Sequence, residues 1–418
     1  MIYIYLNKVI KLRILLINKF HYRRGGAETY YFDLGEILEK RGHEIHYFSM
    51  ADDLNEKTND EKYFVKHQEY VGAKNIIEKM KAFLTTVYSF EAKQKLEQMI
   101  MEIQPDIIHI NNYHRQLSCS IFDAIKKYKI PIVMTAHDAT NICPQIYMNY
   151  KEMCTECSNG KYYYCLKKKC VKNSLSMSFA GMIEGYISKY RKVYEKIDYL
   201  ISPSRYLAKI YVNDGFDQNK LVVLHNAKKV EIIDRSVWEN RDYGIFFGRL
   251  SKEKGILTLL EAISKVKVCS VYIVGDGPEK KEIVRFINDR DMQKKVKIIG
   301  YKTGKELNEL IARAKFAILP SETPENCPYG VIEAFANGVP VIGSNLGGIP
   351  ELIDNGVTGW IFNAGDSDSL AKILCKAEKD AEKMYDNCLK KAQKEYSMDY
   401  YCDQIEKLYN KVISENDN

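Results

Sequence analysis

Short apolar segments without polar alternation recur along this chain, and each one runs into a glycine-containing loop and then a helical segment. In the second half, the segments 244–248, 271–275 and 296–300 show this pattern. Strands that are apolar throughout are typical of parallel sheets covered by helices on both faces, because neither face meets water. The pattern therefore predicts an α/β chain with doubly wound parallel sheets.

The length of the chain predicts more than one domain, since 418 residues exceed what one hydrophobic core normally serves. We predict an amino-terminal domain over 1–230 and a carboxyl-terminal domain over 240–392, with a polar hinge at 230–242. No segment is apolar over the length of a membrane span, so a cytoplasmic protein is expected. The strands of the first domain are predicted at 13–18, 44–48, 107–111, 132–135, 199–202 and 221–225.

Two carboxylates eight positions apart, Glu325 and Glu333, mark the junction between an apolar strand and a predicted helix at 329–337. Glu325 lies beyond the carboxyl end of the strand, where open α/β sheets bind ligands. The first N–H groups of a helix have no partner within it and readily hold a phosphate. Here those groups belong to Tyr329, Gly330 and Val331. Taken alone, two glutamates near a helix are more often solvated charges than a binding site.

Two cations stand among glycines in the loop FGRLSKEKG, which follows the apolar strand 244–248. They are Arg249 and Lys254. Glycines allow a ligand to approach the backbone closely, and a guanidinium beside an ammonium suits a diphosphate. The loop therefore predicts one side of a phosphate site.

Charge is divided unevenly between the two halves. Residues 1–230 hold 35 Lys+Arg against 25 Asp+Glu, a net of +10, and the remainder holds 27 against 30, a net of −3. Basic stretches at 74–95 and 161–172 interleave lysines with apolar or aromatic residues. They indicate either a surface for an anionic lipid-linked acceptor at the inner leaflet or ordinary solvated helix faces. No recognised nucleic-acid-binding module accompanies them.

Four of the 11 cysteines lie within 17 residues, in an insertion at about 143–170. They are Cys154, Cys157, Cys165 and Cys170, with Cys143 just upstream. Four thiolates suit a tetrahedral structural zinc, and zinc is a more frequent partner than a disulfide in a reducing compartment. Free thiols that only pack are the alternative.

Motifs in a fixed order make the chain similar to a known family. They are GGAE at 25–28, TAHD at 135–138, SPS at 202–204, FGRLSKEKG at 247–255, GDGP at 275–278, PSETPE at 320–325 and GVPVIGSNLGGIPE at 338–351. With the paired glutamates, they resemble the retaining glycosyltransferases of family four over nearly the whole chain. The resemblance implies the GT-B architecture, in which two Rossmann-like domains face each other across a cleft. It also implies that the segment 393–418 forms a helix that packs back on the first domain.

The resemblance assigns the donor's diphosphate to three elements. Arg249 and Lys254 would neutralise the charge that develops on the leaving group. The helix start at 329–331 and the opposing loop of Gly25 and Gly26 would hold the same group through their backbones.

The resemblance also assigns the rest of the donor. Glu333 would accept hydrogen bonds from the ribose hydroxyls, and Glu325 would engage the hydroxyls of the donor sugar. The base would rest against Gly300 and Tyr301. His137 would contact the donor sugar or the region of the developing oxocarbenium ion.

The implied reaction is transfer of a hexose or N-acetylhexosamine from a UDP- or GDP-sugar to a glycan or lipid-linked acceptor, with retention, in bacterial cell-surface polysaccharide synthesis. The donor region has no Asp-x-Asp motif, so no cofactor is expected for catalysis. The loop 326–329 departs from the commoner glycine- and phenylalanine-containing version, which leaves the donor sugar open. Two alternatives remain, a non-hydrolysing nucleotide-sugar epimerase and a catalytically inactive zinc-containing scaffold of a polysaccharide assembly.

Overall fold

The computed structural model describes residues 11–67, 83–145, 154–229 and 235–416. Its strands are β1 (Arg13–Ile17), β2 (Glu44–Phe48), β3 (Met50–Ala51), β4 (Val65–Lys66), β5 (Ile107–Ile110), β6 (Ile132–Thr135), β7 (Tyr199–Ser202), β8 (Leu221–Val223), β9 (Tyr243–Phe247), β10 (Ser270–Val274), β11 (Val296–Gly300), β12 (Ala314–Leu319), β13 (Val341–Ser344) and β14 (Gly359–Phe362). Two sheets of six strands each have the orders β2-β1-β5-β6-β7-β8 and β11-β10-β9-β12-β13-β14. All neighbours in both sheets pair in parallel.

Helices connect the strands and cover the sheets. They are α1 (Gly26–Lys40), α2 (Phe90–Ile103), α3 (Ser120–Lys127), α4 (Tyr163–Lys167), α5 (Leu175–Tyr190), α6 (Val193–Lys196), α7 (Arg205–Asn213), α8 (Ile256–Ser264), α9 (Lys280–Asp289), α10 (Gly304–Ala312), α11 (Tyr329–Ala336), α12 (Ile349–Leu352), α13 (Ser367–Asp380), α14 (Tyr385–Glu395) and α15 (Met398–Asn416). The predicted doubly wound α/β fold is confirmed.

The first sheet is buried on both faces, as its uninterrupted apolar strands require. Leu15 and Ile17 of β1 pack into one core, while Ile14 and Leu16 pack into a second core on the opposite face. Strand β1 ends one residue earlier than the predicted segment because Asn18 turns the chain, with its side-chain amide donating to the carbonyl of Phe20 at 2.8 Å. The chain thus leaves the sheet at a polar residue.

The predicted hinge at 230–242 divides into two parts. Residues 230–234 lie outside the described ranges, and 235–240 form a short 3₁₀ helix. Arg241 is buried, and its guanidinium donates to the carbonyls of Ala312, Asn337 and Gly338 at 2.6 to 2.9 Å. These carbonyls lie at the ends of α10 and α11, so the last hinge residues are bound to the second domain.

Helix α15 follows the second domain in sequence but packs on the first sheet. Its buried side chains, among them Tyr401 and Tyr409, belong to the same core as Ile14 and Leu16. Arg41, just after α1, binds α15, and its guanidinium lies 2.6 Å from the carboxylate of Asp403. Within the described ranges, no helix combines the length and apolar character that a membrane span requires. The domain boundaries themselves remain predictions.

Candidate functional site

A cleft of about 610 Å³ lies between the carboxyl ends of the two sheets. Ligands of open α/β sheets bind at this edge. Twelve residues were predicted to form the donor and catalytic site, and nine of them line the cleft: Gly25, Gly26, Arg249, Lys254, Tyr301, Glu325, Tyr329, Gly330 and Glu333. The other three, His137, Gly300 and Val331, do not line it.

Glu325 is bound at both of its carboxylate oxygens. Lys254 donates to Oε2 at 2.9 Å, and the hydroxyl of Ser321 donates to Oε1. Lys254 lies on the loop after β9 and Glu325 on the loop after β12, so adjacent strands bring together residues 71 positions apart. Both side chains are partly exposed, which leaves their charges available to a ligand.

Arg249 projects beside this pair and is exposed. Among the residues that the structure describes, its guanidinium forms no hydrogen bond or close ion pair, and its charge acts to lower the pKa of Glu253. Gly255 closes the same loop at φ +65°, and a Cβ there would lie 1.9 Å from the carbonyl oxygen of Pro320. Only glycine therefore allows the loop of Arg249 and Lys254 to pack against the loop that carries Glu325.

Helix α11 begins at the cleft with Tyr329 and Gly330. The N–H of Val331 donates to the carbonyl of Pro328 at 3.1 Å, so this amide is already engaged, and the Val331 side chain is fully buried. The ring of Tyr329 lies 3.4 Å from the position that a Cβ on Gly26 would occupy. The glycine loop of the first domain therefore meets the start of α11 directly.

Glu333 forms an ion pair with Lys228, which lies on the connection between the domains. The lysine side chain is 40% exposed and the glutamate 20%, so the pair is open to the cleft. Tyr301 forms another part of the lining and is 71% exposed, whereas its neighbour Gly300 lies outside the lining at φ +84°. Glu333 is thus accessible at the predicted ribose position, and Tyr301 is the accessible residue at the predicted base position.

His137 lies behind the cleft in the first domain. Its Nε2 donates to the Asn111 side-chain oxygen at 2.9 Å, and its ring centroid is 4.9 Å from that of Tyr30. Burial lowers the pKa of His137 to about 3, and the charge of Lys19 acts in the same direction. The imidazole is therefore neutral at physiological pH, and its Nδ1 is an acceptor.

A polar cluster on the first domain contains Lys19 and Glu184, neither of which was assigned a role from the sequence. Glu184 of α5 is buried, and the backbone N–H of Arg115 donates to it at 3.1 Å. Burial lowers the pKa of Lys19, which lies after β1, although the charge of Asp138 opposes the shift. Among the described residues, the Lys19 ammonium has no hydrogen-bond acceptor; it lies 5.4 Å from the ring of Phe20. Lys19, Arg115 and Asp138 follow the strands β1, β5 and β6, but no comparable signal marks Glu184 on α5.

The two domains also contact each other beside the cleft. The side-chain amide of Asn326 donates to the carbonyl of His137 at 3.2 Å. The carboxylate of Glu351 accepts from the backbone N–H groups of Arg205 and Tyr206, both at 2.7 Å. The loop of Glu325 and Asn326 is therefore bound to the first domain as well as to its own.

Two sequence families account for most of the chain. The model described as "Glycosyltransferase Family 4" matches residues 24–228, and the model described as "Glycosyl transferases group 1" matches residues 229–395. The chain belongs to the family 4, group 1 glycosyltransferases. The resemblance found from the motifs is thereby confirmed.

Relatives of this glycosyltransferase occur in polysaccharide gene regions. An uncharacterized 42.6 kDa protein in the cps region of Klebsiella pneumoniae is 25% identical over 417 residues, which cover 95% of this chain and all of that protein. The amylovoran biosynthesis glycosyltransferase AmsK of Erwinia amylovora is 36% identical over 31% of this chain and 34% of its own length. The putative colanic acid biosynthesis glycosyltransferase WcaL of Salmonella typhimurium is 22% identical over 54% and 59%, respectively. The match thus spans a third to three fifths of the length of AmsK and WcaL.

Solved structures share the fold of this glycosyltransferase over almost its full length. A glycosyltransferase from Rickettsia africae has a TM-score of 0.69 at 18% identity and covers 96% of this chain and 99% of its own. The Anabaena protein Alr3699/HepE, solved in complex with UDP and glucose, has a TM-score of 0.67 at 17% identity and covers 96% and 100%. The predicted GT-B architecture is thereby confirmed.

The cysteines of the glycosyltransferase are free thiols in the structure. Cys157 and Cys165 are buried in a small apolar cluster, and Cys170 packs against it. A hydrogen bond with Cys143 raises the pKa of Cys157. Within the described ranges, no three potential ligands are arranged to hold a metal ion. Zinc at Cys154, Cys157, Cys165 and Cys170 stays a prediction.

Proposed function

We propose that this glycosyltransferase moves a hexose or N-acetylhexosamine from a UDP- or GDP-sugar to a glycan or lipid-linked acceptor, with retention of configuration. The observation that carries the proposal is the pairing of Lys254 with Glu325 beside the start of α11, with Arg249 facing the same space. Two cations, a helix start and a carboxylate are what a diphosphate-linked sugar requires.

In the proposed reaction, the donor's diphosphate takes Lys254 from Glu325 and also binds Arg249. The freed Glu325 then accepts hydrogen bonds from the donor sugar, while Glu333 accepts them from the ribose. The bond between the anomeric carbon and the diphosphate oxygen breaks as the acceptor oxygen attacks the same face. The departing diphosphate oxygen takes the acceptor's proton, so the charge that forms is held by the two cations.

We propose that catalysis requires no divalent cation, because Arg249, Lys254 and the dipole of α11 supply positive charge where the diphosphate leaves. The second domain contains two Asp-x-Asp pairs, at 289/291 and 366/368, and neither lines the cleft. Asp366 caps helix α13, and Asp368 binds Lys265 at 2.8 Å. The experimental check is activity in buffer with EDTA, which should equal activity with added Mg²⁺.

The acceptor is proposed to belong to a capsular or exopolysaccharide pathway, in keeping with the amylovoran and colanic acid biosynthesis in the names of AmsK and WcaL. The described basic stretch 161–172 exposes most of its lysines, whereas much of 74–95 lies outside the described residues. We propose that this face brings the enzyme to the anionic inner leaflet. Sedimentation with vesicles rich in anionic lipid, against neutral vesicles, tests the association; equal sedimentation would contradict it.

A donor panel tests the function. UDP- and GDP-sugars are screened by thermal shift and then by nucleotide release, on wild type, Glu333→Ala and the matched control Glu282→Ala, which alters an exposed glutamate outside the cleft. One donor should stabilise wild type and the control but not Glu333→Ala, and a new glycoside should form. Free epimerised nucleotide sugar would favour the epimerase alternative. No stabilisation by any donor would contradict the proposed function.

A further inference from the structure

Three consecutive residues of the loop after β12 face three different parts of the molecule. The Glu325 side chain binds Lys254 of the second domain. The Asn326 side chain reaches the first domain, and the carbonyl of Cys327 accepts from the side-chain amide of Asn226, on the connection between the domains, at 3.0 Å. A shift of the first domain therefore acts on the residue next to the donor-site carboxylate.

Asn326 uses both ends of its side-chain amide to contact the first domain beside the cleft. Its oxygen accepts from the hydroxyl of Ser204, and its nitrogen donates to the carbonyls of His137 at 3.2 Å and Ala136 at 3.5 Å. All three partners follow strands of the first sheet, at its carboxyl edge. An asparagine is suited to this position because it offers a donor and an acceptor at once.

The backbone of the same loop has little freedom on its own side. The N–H of Gly348 donates to the carbonyl of Glu325 at 2.7 Å. A Cβ on Gly348 would lie 1.8 Å from the carbonyl oxygen of Asn326. The loop is therefore held between Gly348 of its own domain and the strand ends of the first domain.

A second contact between the domains lies at the start of α7, the helix that Ser204 caps. Ser204 is the N-cap of α7, and its hydroxyl accepts from the N–H of Leu207 at 3.1 Å. The preceding two N–H groups, of Arg205 and Tyr206, donate to Glu351 of the second domain at 2.7 Å each. The donors at the start of α7 are thus satisfied by a carboxylate only while the domains are in contact.

We propose that Asn326 is a positioning residue for the transfer reaction: it joins the loop of Glu325 to the backbone of His137, and Glu351 holds the same closure at α7. The inference rests on the proposed function, in which Glu325 accepts hydrogen bonds from the donor sugar. The contacts of Asn326 set the distance between the loop of Glu325 and the strand ends of the first domain. Misplacement by about 1 Å costs on the order of 100-fold in rate.

The decisive variant is Asn326→Asp, which keeps the shape and the acceptor for Ser204 but turns a second oxygen towards the carbonyls of His137 and Ala136. We expect kcat for the best donor to fall about 30- to 100-fold while KM for that donor changes less than about threefold. Asn345→Asp is the matched control, because Asn345 is exposed in the same domain and outside the cleft lining. Ser204→Ala should give an intermediate loss.

Two results would overturn the inference. The first is an unchanged kcat and an unchanged kcat/KM in Asn326→Asp. The second is a loss of kcat/KM that comes entirely from a raised KM while kcat is retained, which would make Asn326 a donor-binding residue only. Wild type that turns over no nucleotide sugar would instead contradict the proposed function.

Small-angle scattering gives a readout that needs no substrate. The double variant Asn326→Asp/Glu351→Gln should have a larger radius of gyration than wild type, with the melting temperature of each variant recorded as the control for folding. An unchanged radius in a folded double variant would contradict the closure by Asn326 and Glu351.

Discussion

On the carboxyl-terminal wall of the cleft, Lys254 and Glu325 are partly exposed ions that bind each other at 2.9 Å. On the amino-terminal side, by contrast, burial lowers the pKa of His109, His114 and His137 to about 3 each. In the first arrangement, both charges are accessible, so a charged ligand can replace one member of the ion pair. The second consists of neutral rings whose hydrogen bonds are fixed before any ligand arrives.

The difference assigns separate tasks to the two walls. In the proposed function, an exchangeable ion pair suits a donor that carries a diphosphate, because Glu325 then accepts hydrogen bonds from the sugar once Lys254 has left it. The three neutral histidines do not line the cleft, and they suit a fixed support behind it. Four predictions test this contrast, in order of the expected size of the effect.

The largest effect is expected from the ion pair of Lys254 and Glu325. Lys254→Met removes a cation from the proposed leaving group and leaves Glu325 without its ionic partner, so kcat should fall about 10²- to 10³-fold, or about 3 to 4 kcal/mol. Lys252→Met is the matched control, since Lys252 lies on the same 3₁₀ helix and is exposed. Steady-state nucleotide release measures both. Equal losses in the two variants would remove the distinction between the walls.

The second prediction concerns the buried neutral histidines and the stability of the protein in acid. A histidine with a folded pKa of about 3 takes up a proton in the unfolded chain near 6.5, so the unfolded state binds more protons between these values. Stability is therefore lost as pH falls below about 6.5, at about 1.4 kcal/mol per pH unit for each such histidine.

His109→Gln tests this slope. His109 is buried, with Nδ1 2.5 Å from the Tyr409 hydroxyl and Nε2 2.7 Å from that of Thr135. Urea unfolding at about pH 7, 6 and 5 should show a slope shallower by about 1.4 kcal/mol per unit in the variant over the more acidic interval. An unchanged slope would mean that His109 does not lie neutral in the folded state.

A smaller effect is expected at Glu333. Its ion pair with the partly exposed Lys228 contributes about 0 to 1 kcal/mol. Because Lys228 competes with the ribose for the carboxylate, Lys228→Met should tighten UDP binding by at most about fivefold. Calorimetric titration measures the change, with the exposed Lys209→Met as control. Weaker binding in Lys228→Met would instead mean that the lysine contacts the nucleotide.

The smallest effect on turnover is expected from the cysteines. If Cys157 and its neighbours bind zinc, the purified protein should contain about one zinc per chain, and Cys157→Ser should lower that content. None of these cysteines lines the cleft, so kcat should change less than about twofold in the folded variant. Elemental analysis beside activity checks both statements. Metal-free protein with an unaltered melting temperature would contradict the zinc site.

The fold was accessible from the sequence because local patterns determine it. The predicted segment at 132–135 coincides with β6, and the predicted helix at 329–337 differs from α11 by one residue. Uninterrupted apolar strands and a glycine after α11 carry this information within a few residues of the element itself. Long-range partners carry no such local signal.

The site shows this limit. Glu325 and Lys254 were predicted to serve one ligand, but their mutual ion pair depends on two adjacent strand ends. Asn326 was noted only for its effect on donor identity, whereas its partners lie 122 and 189 positions away in the other domain. The roles assigned to these side chains remain predictions until donors are tested.

The chain passes between the domains twice, and the two passages touch. The N–H of Lys228 donates to the carbonyl of Tyr396 at 2.9 Å, just before α15 returns to the first sheet. The group 1 segment at 229–395 is therefore an insertion into a discontinuous domain rather than an appended module. Exchange of this segment between related enzymes requires two junctions, and a chain that ends at residue 228 would leave the first core without Tyr401 and Tyr409. A chimera that exchanges this segment therefore has both of its junctions at one point in space, where Lys228 meets Tyr396.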